Sequence, residues 1–307
     1  MSKPYIALAL AGPHLVELTA SPALLARWDA LPVAFTVLGI DRIDGSAPAS
    51  VTLNSSAVGA TLAGATKNGR FLIVATPQRD HPYNIARRVA SLAHLSGGRS
   101  GVLIGIRDGY APAGPEDAPA WGGAGLGGGA ALNAQTAYDT ARAVRALEQS
   151  WPHDTIIADR ESGILVQSNR IVHVDIDASF SIAGPLNAPE PAAGASVIAW
   201  YDEAGDAIPA RGDDDPVDLV LGGSGSVAII RPDETPPVDG VSGVLLRAEP
   251  DQPIMELFEA AERLLADGYT ATEPGRPLRT ALGLSQPKPL PRTARPAFPT
   301  PKPHIAP

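Results

Sequence analysis

Eight short apolar runs, separated by amphipathic segments, most limit what this chain can fold into. The runs are continuously apolar, as strands buried on both faces of a parallel sheet are; they lie at 6–11, 33–38, 71–75, 102–106, 197–200, 219–221, 227–230 and 243–246. Between several of them are segments of helical periodicity, at 22–30, 56–65, 84–95, 137–150 and 253–266. Repeated strand–helix units with right-handed crossovers predict an α/β fold, either a closed barrel or an open doubly wound sheet.

Two further segments depart from this pattern. Residues 170–182 alternate apolar and polar positions around the turn residues Asp177 to Ser179, which predicts an inserted antiparallel β-hairpin. Residues 285–307, called the tail below, are rich in proline and basic with no acidic residue, so they cannot hold a helix. We therefore divide the chain into a barrel domain at 1–284 and the tail. We expect the tail to be polyproline-like or disordered, with a packing arm on a partner subunit as the alternative.

Composition excludes several classes of function. The net charge of −9 argues against a nucleic-acid or membrane-surface role, because basic patches hold such partners. Since the chain has no cysteine, disulfides, thiolate metal sites and a cysteine nucleophile are excluded. The first apolar run is too short to span a bilayer and is read as a strand, so the expected compartment is the cytoplasm.

Local motifs assign no catalytic residue. Residues 123–128 fit G-x-G-x-x-G, but a Pro/Gly-rich loop precedes them where a dinucleotide site needs a strand. His173, Asp175 and Asp177 share one face of the predicted hairpin and could hold a divalent metal, although a hairpin with one wet face shows the same alternation. We favour the interpretation that these three side chains form the solvent-exposed face of the hairpin, and we expect no metal. The GGSGS sequence at 222–226 lacks the second glycine of a nucleophile elbow.

Four ordered blocks carry a resemblance to a known family. The first is ATPQRDHPYNIARRVASLAHLSGGRSG at 75–101, and the others are RALEQSWPHDTIIADRESG at 145–163, FSIAGPLNAPEPAAGASVIAW at 180–200 and DGYTATEPGRPLRTALGL at 267–284. Together they resemble the bacterial luciferase-like superfamily of flavin-dependent monooxygenases, in the branch that contains nitrilotriacetate monooxygenase, the desulfurisation enzymes and pristinamycin synthase.

The resemblance implies a (β/α)8 TIM-barrel-like fold and FMN that a separate flavin reductase supplies in reduced form. The implied reaction inserts one oxygen atom of O2 through a flavin peroxide, and we also expect a homo-oligomer. It places cofactor-binding residues where ligands bind in such barrels, at the C-terminal ends of the strands: Thr76, His81, Tyr83 and Asn84. The Gly-rich segment 122–129 then becomes a loop or lid beside the flavin pocket, although glycines equally suit a disordered spacer.

The chain departs from the family pattern where that pattern holds flavin. A flavin-holding asparagine is replaced within the apolar run 101–106, and an Arg-Tyr pair by Asn133 and Ala134. The phosphate loop after the fifth strand is replaced by a segment with three acids, Asp202, Glu203 and Asp206, which would repel a phosphate dianion. Residues 205–240 are also too few for two strand–helix units.

We therefore expect a shortened member with an incomplete or modified barrel. Two functions remain open for it. The chain is either an FMN-dependent monooxygenase with an altered flavin site, or a non-catalytic barrel that acts as a binding or partner subunit.

Overall fold

The chain forms a closed parallel barrel in the computed structural model, which describes residues 3–111, 119–123, 130–202, 208–209, 212, 214–223, 225–237, 239–291 and 295–302. The strands are β1 Tyr5–Leu10, β2 Thr36–Leu38, β3 Phe71–Ala75, β4 Ser100–Ile104, β5 Asp175–Asp177, β6 Ser181–Ala183, β7 Val197–Tyr201, β8 Leu219–Leu221, β9 Val227–Ile230 and β10 Gly243–Arg247. The α-helices are α1 Gly12–Ala20, α2 Pro22–Ala30, α3 Ser55–Ala65, α4 Pro82–Ser96, α5 Ala134–Gln149, α6 Ile254–Ala266 and α7 Leu278–Ala281.

All eight apolar runs are barrel strands, in the spatial order β1-β10-β9-β8-β7-β4-β3-β2. The strand registers can be followed once around the barrel, beginning at position 5 of β1. After one full circuit of paired positions, the path comes back to the line of β1 at position 13 and not at position 5. The stagger around the barrel is therefore eight residues. Eight strands with a shift of eight are the geometry of the TIM barrel. The barrel alternative is therefore confirmed over the open sheet, and β5 and β6 confirm the inserted antiparallel hairpin.

The barrel is incomplete on one side, as the sequence predicted. Among the described residues, no helix lies between β7 and β8, between β8 and β9, or between β9 and β10. Only residues 222–226 link β8 to β9, although a parallel pair usually needs a crossover of a dozen residues. The short link suffices because β9 begins at the level where β8 ends, with Leu221 opposite Val227.

The five predicted helices are confirmed, and α1 is an addition that the apolar pattern did not indicate. Residues 12–20 begin with Gly-Pro and include no acid in the first turn. A distant residue supplies the missing cap, because the Gly12 amide donates to the Asp41 carboxylate just after β2, at 3.0 Å. A helix start that depends on a residue 29 positions away cannot be read from local sequence.

Three arginines of the resembling blocks tie the scaffold together at the N-terminal end of the barrel. Arg99 donates to the carbonyls of Thr66 at 2.9 Å and Ser96 at 2.9 Å, which joins the ends of α3 and α4. Arg145 and Arg279 both donate to the Asp218 carboxylate at 2.7 Å. In TIM barrels this end serves stability, so these motif residues carry the fold and not the chemistry.

The described part of the tail packs against the body, contrary to the expectation of a disordered segment. The amide of His173 donates to the Arg295 carbonyl at 2.7 Å, and the amide of Ala297 donates to the Ile171 carbonyl at 2.8 Å. The sequence did not indicate this antiparallel pairing, because prolines at 287, 289 and 291 argue against a strand in the tail. Residues 295–297 can still pair. The domain boundary at 285 stays a prediction. In the part of the chain that the structure describes, no helix is long and apolar enough to cross a membrane.

Candidate functional site

The C-terminal ends of the barrel strands and the turns after them, called the rim below, carry a dense polar network. Arg42 follows β2 and forms an ion pair of 3.0 Å with Asp108, which follows β4 and is almost fully buried. Arg79, after β3, approaches the same carboxylate to 3.4 Å. The Tyr110 hydroxyl donates to Asp41, and burial together with this bond raises the pKa of Tyr110 to about 12. The rim between β2 and β4 is thus closed by charge pairs.

Thr76, the first of the four predicted cofactor-binding residues, lies at the rim directly after β3. Its side chain is buried, and among the described residues no atom is a hydrogen-bond partner for its hydroxyl. Leaving a buried hydroxyl unpaired costs about 1–3 kcal/mol. Thr76 lines a cavity of about 170 Å³, called the rim cavity below, together with the arginines that follow β2 and β3.

His81 directly precedes α4 as its N-cap and lies at one end of a row of aromatic rings. Its Nδ1 accepts from the Tyr83 amide at 3.3 Å, which caps the helix, and burial lowers the pKa of His81. The ring meets Trp121 edge-on at 5.3 Å between centroids, and Trp121 in turn meets Phe180 of the hairpin at 5.2 Å. The Trp121 amide donates to the carbonyl of Pro77 at 2.6 Å. The start of the Gly-rich loop thus packs on the β3–α4 turn, while residues 124–129 lie outside the described part.

Tyr83 and Asn84 contact scaffold elements. The Tyr83 hydroxyl donates to the carbonyl of Pro185 at 3.3 Å, which joins α4 to the segment after the hairpin. Asn84 is exposed on α4, and its carbonyl accepts from Arg88 at 3.3 Å. Of the four predicted residues, the fold brings Thr76 and His81 to the same turn and directs the contacts of the other two elsewhere. Their role in cofactor binding stays a prediction.

The described rim residues do not fit a flavin. Ile43 covers the top of the barrel interior and packs on Gly105 after β4, so closely that a Cβ at Gly105 would lie 2.6 Å from it. The rim cavity, at about 170 Å³, is smaller than the 300–1,000 Å³ typical of pockets for drug-sized ligands. The rim cavity is therefore too small to bury an isoalloxazine ring.

The end of β7 is also unsuited to the phosphate. The Asp202 amide donates to the Leu221 carbonyl at 2.9 Å, and its carboxylate lies against Gly223, where a Cβ would be 2.2 Å from Oδ2. An acid therefore lies where the turn after β7 meets the turn after β8. Glu203 and Asp206, the other two predicted acids, lie outside the described residues.

Larger cavities lie at the N-terminal end, along the tail. They measure about 1,080 and 660 Å³ and share the lining residues Gln149 and Gln286. Tail residues 286, 287 and 289–291 line both cavities, at the end of the barrel opposite to the one where such folds place their active sites.

The hairpin residues considered for a metal are placed apart from the rim network. His173 Nδ1 lies 3.1 Å from Asp175, whose side chain is largely exposed. Within the described ranges, no group of three or more His, Cys, Asp or Glu side chains could hold a metal ion.

The rim residues that sequence reasoning missed were Arg42, Asp108, Tyr110 and Trp121. They sit in loops without periodicity, so no pattern selects them. A usable signal exists for two of them, since Arg42 and Asp108 come within four residues of a strand's carboxyl end, where parallel strands gather side chains.

Comparison with known proteins gives relatives of two lengths. The chain is 26% identical over 269 residues to one of the subunits of pristinamycin IIA synthase from Streptomyces pristinaespiralis, covering 80% of this chain and 83% of the relative. It is 28% identical over 156 residues to dibenzothiophene-sulfone monooxygenase from Rhodococcus erythropolis, covering 48% of this chain but 32% of that protein.

Among solved structures, EDTA monooxygenase from Chelativorans sp. BNC1 matches with a TM-score of 0.48 and 20% identity, over 72% of this chain and 53% of that one. The chain thus spans about half the length of this structural neighbour. No protein-family model matches the chain.

Proposed function

We propose that this chain, whose relatives indicate the luciferase-like monooxygenase superfamily, is the partner subunit of a flavin-dependent monooxygenase whose FMN is held by a second, longer barrel chain. In this proposal a separate reductase supplies the reduced flavin. The chain contributes a barrel surface and leaves the oxygen chemistry to the other subunit.

The observation that carries the proposal is the closed rim. Catalysis with FMN needs a pocket that buries the ring and donors that neutralise the phosphate. Here Ile43 packs over the barrel interior, and the Asp202 carboxylate lies between the turn after β7 and the turn after β8. Each lost hydrogen bond to a charged group costs about 1.5–3 kcal/mol, so two or three such losses weaken affinity by about two to six orders of magnitude.

Chain length supports the same proposal. The coverage of 80% and 83% means that this chain and the related synthase polypeptide are of similar length. The match to the sulfone monooxygenase covers 48% of this chain and 32% of that protein. The ratio of these two shares makes the sulfone monooxygenase about one and a half times as long as this chain. The similar-length relative is named as a subunit, and the longer one is named as a monooxygenase.

A second candidate is catalysis by this chain alone, as an FMN-dependent monooxygenase with an altered site. The unpaired buried hydroxyl of Thr76 and the nearby His81 favour it, since both lie at the end of the barrel where such enzymes act.

Titration of the purified full-length chain with FMN separates the two candidates. At tens of micromolar we expect no saturable quenching of flavin fluorescence and no oxidation of substrate with reduced FMN and O2. When the chain is co-expressed with a full-length luciferase-like chain, we expect a complex of defined stoichiometry in which FMN binds.

Saturable FMN binding to the isolated chain in that range would establish the catalytic alternative. Sedimentation of the isolated chain also tests the predicted homo-oligomer. Fractionation of the native cell tests the predicted cytoplasmic location.

A further inference from the structure

We propose that the rim cavity is a binding site for a small monoanionic carboxylate. It is bounded by the end of β3, the start of α3 and the β3–α4 turn, and the residues that define it are Arg42, Arg79, Arg88, Asn54, Thr76 and Asp108. The inference is independent of which subunit holds flavin.

Charge is the first reason. Three arginines and two aspartates, Asp80 and Asp108, line the cavity, which leaves one positive charge in excess. At other places on the rim the balance differs: Arg247 faces one acid, Asp44, at 2.9 Å, and Arg231 lies among two acids. A surplus of arginine inside a small cavity attracts an anion, because the low local dielectric strengthens the interaction.

The acids of the cavity are already engaged. Asp108 accepts from Arg42 at 3.0 Å and from the Tyr110 amide at 2.8 Å, and Arg79 approaches it to 3.4 Å. Asp80 pairs with Arg88. Arg79 is the cation in excess: its side chain is about half exposed and its contact with Asp108, at 3.4 Å, is longer than the Arg42 contact at 3.0 Å. It can therefore exchange Asp108 for a bound anion and leave the Arg42–Asp108 pair intact.

The remaining polar groups supply donors. The Asn54 carbonyl oxygen caps α3 by accepting from the Ser56 amide at 3.0 Å, which leaves its NH₂ group on the opposite side. The buried Thr76 hydroxyl has no partner in the described part of the chain. A carboxylate accepts from an arginine fork and from neutral donors together, and a bound one would satisfy Thr76.

Size and charge select the class of ligand. A volume of about 170 Å³ admits a group of a few heavy atoms. Two aspartates in the wall oppose a phosphate dianion, whereas a single excess positive charge matches a monoanion. The carboxylate could come from a free small acid or from the end of a larger molecule.

Calorimetric titration of the full chain with sodium acetate, N-acetylglycine and inorganic phosphate, against sodium chloride at equal ionic strength, tests the site. We expect saturable acetate binding below about 10 mM. Tighter binding of N-acetylglycine than of acetate would identify the carboxylate of a larger molecule as the source, and equal or weaker binding would identify a free small acid. Tighter binding of phosphate or chloride than of acetate, or no saturable heat with any of them, would overturn the proposal.

Variants locate the site. Arg79→Gln should weaken acetate binding about ten- to hundredfold, the range for a lost charged hydrogen bond. The matched control Arg276→Gln removes an arginine of similar exposure, paired with Glu273 at the other end of the barrel, and should leave binding unchanged.

Thr76→Val separates binding from folding. It removes an unpaired hydroxyl at constant shape, so without acetate its melting temperature should equal or exceed that of wild type, while acetate binding weakens several-fold. A lowered melting temperature without acetate would mean that the hydroxyl is already satisfied. That result, or unchanged affinity in Arg79→Gln, would refute the site.

Discussion

Replacement of Arg279 by glutamine probes the buried ion network at the N-terminal end of the barrel. The Arg279 side chain is 4% exposed, and its guanidinium donates to both oxygens of Asp218, at 2.8 and 2.7 Å. It also donates to the carbonyls of Ala195, Ser196 and Ser285, at 2.8, 3.0 and 2.7 Å. This one side chain therefore joins α7 to the residues before β7 and β8.

The expected loss follows from these contacts. Removal of one partner of a buried ion pair costs about 3–5 kcal/mol, since it leaves the other charge undercompensated. Arg145 still pairs with Asp218 at 2.7 Å, which places the loss near the lower end of that range. For 307 residues at about 2.1 cal/mol/K each, the unfolding entropy is about 0.6 kcal/mol/K, so the melting temperature should fall by about 5 °C.

Thermal unfolding followed by circular dichroism measures the effect, and Arg276→Gln is the control. That arginine lies three residues earlier, is half exposed, and pairs with an exposed glutamate at 3.1 Å, so its removal should cost less than about 1 kcal/mol. A fall of less than about 1 °C for Arg279→Gln, or equal falls for both variants, would refute the structural role assigned to this motif residue.

Two further outcomes are expected. Burial, with Glu148 adding like charge, raises the pKa of Glu190 to about 7 from 4.5, so its stabilising effect is complete below pH 4.5 and is lost as the pH rises through 7. Glu190→Gln should therefore have a higher unfolding free energy than wild type, by at most about 3 kcal/mol at pH 8 and by less than about 1 kcal/mol at pH 5. Urea titration at the two pH values measures these differences. Equal differences at both pH values would contradict the raised pKa. Around residues 295–297 the tail is held by two backbone hydrogen bonds and by an exposed contact of 3.9 Å between Arg295 and Asp175. The Ala297 amide should be protected from hydrogen exchange at low salt and less so in about 1 M NaCl, and full exchange at low salt would show an undocked tail.

The sequence by itself determined the number of barrel strands, their positions and the inserted hairpin. Each of these features depends on whether a short strand buries one face or both faces. The local spacing of apolar residues in the sequence reflects that burial directly. It also indicated that helices are missing after β7, because too few residues separate the later strands. The resemblance in four blocks pointed to the superfamily that the relatives also indicate, although the arginines in those blocks bind the scaffold.

Only the tertiary structure decided the features that depend on partners distant in the chain. Closure of the barrel needs β1 to pair with β10, more than 230 residues away. The start of α1 depends on Asp41, and docking of the tail depends on a pairing edge at residues 171–173. The rim is the clearest case. The packing of Ile43 on Gly105 and the surplus of arginines around Thr76 both form where loops that follow different strands come into contact. No local pattern encodes such a meeting, because periodicity records burial of a segment and not the identity of what buries it.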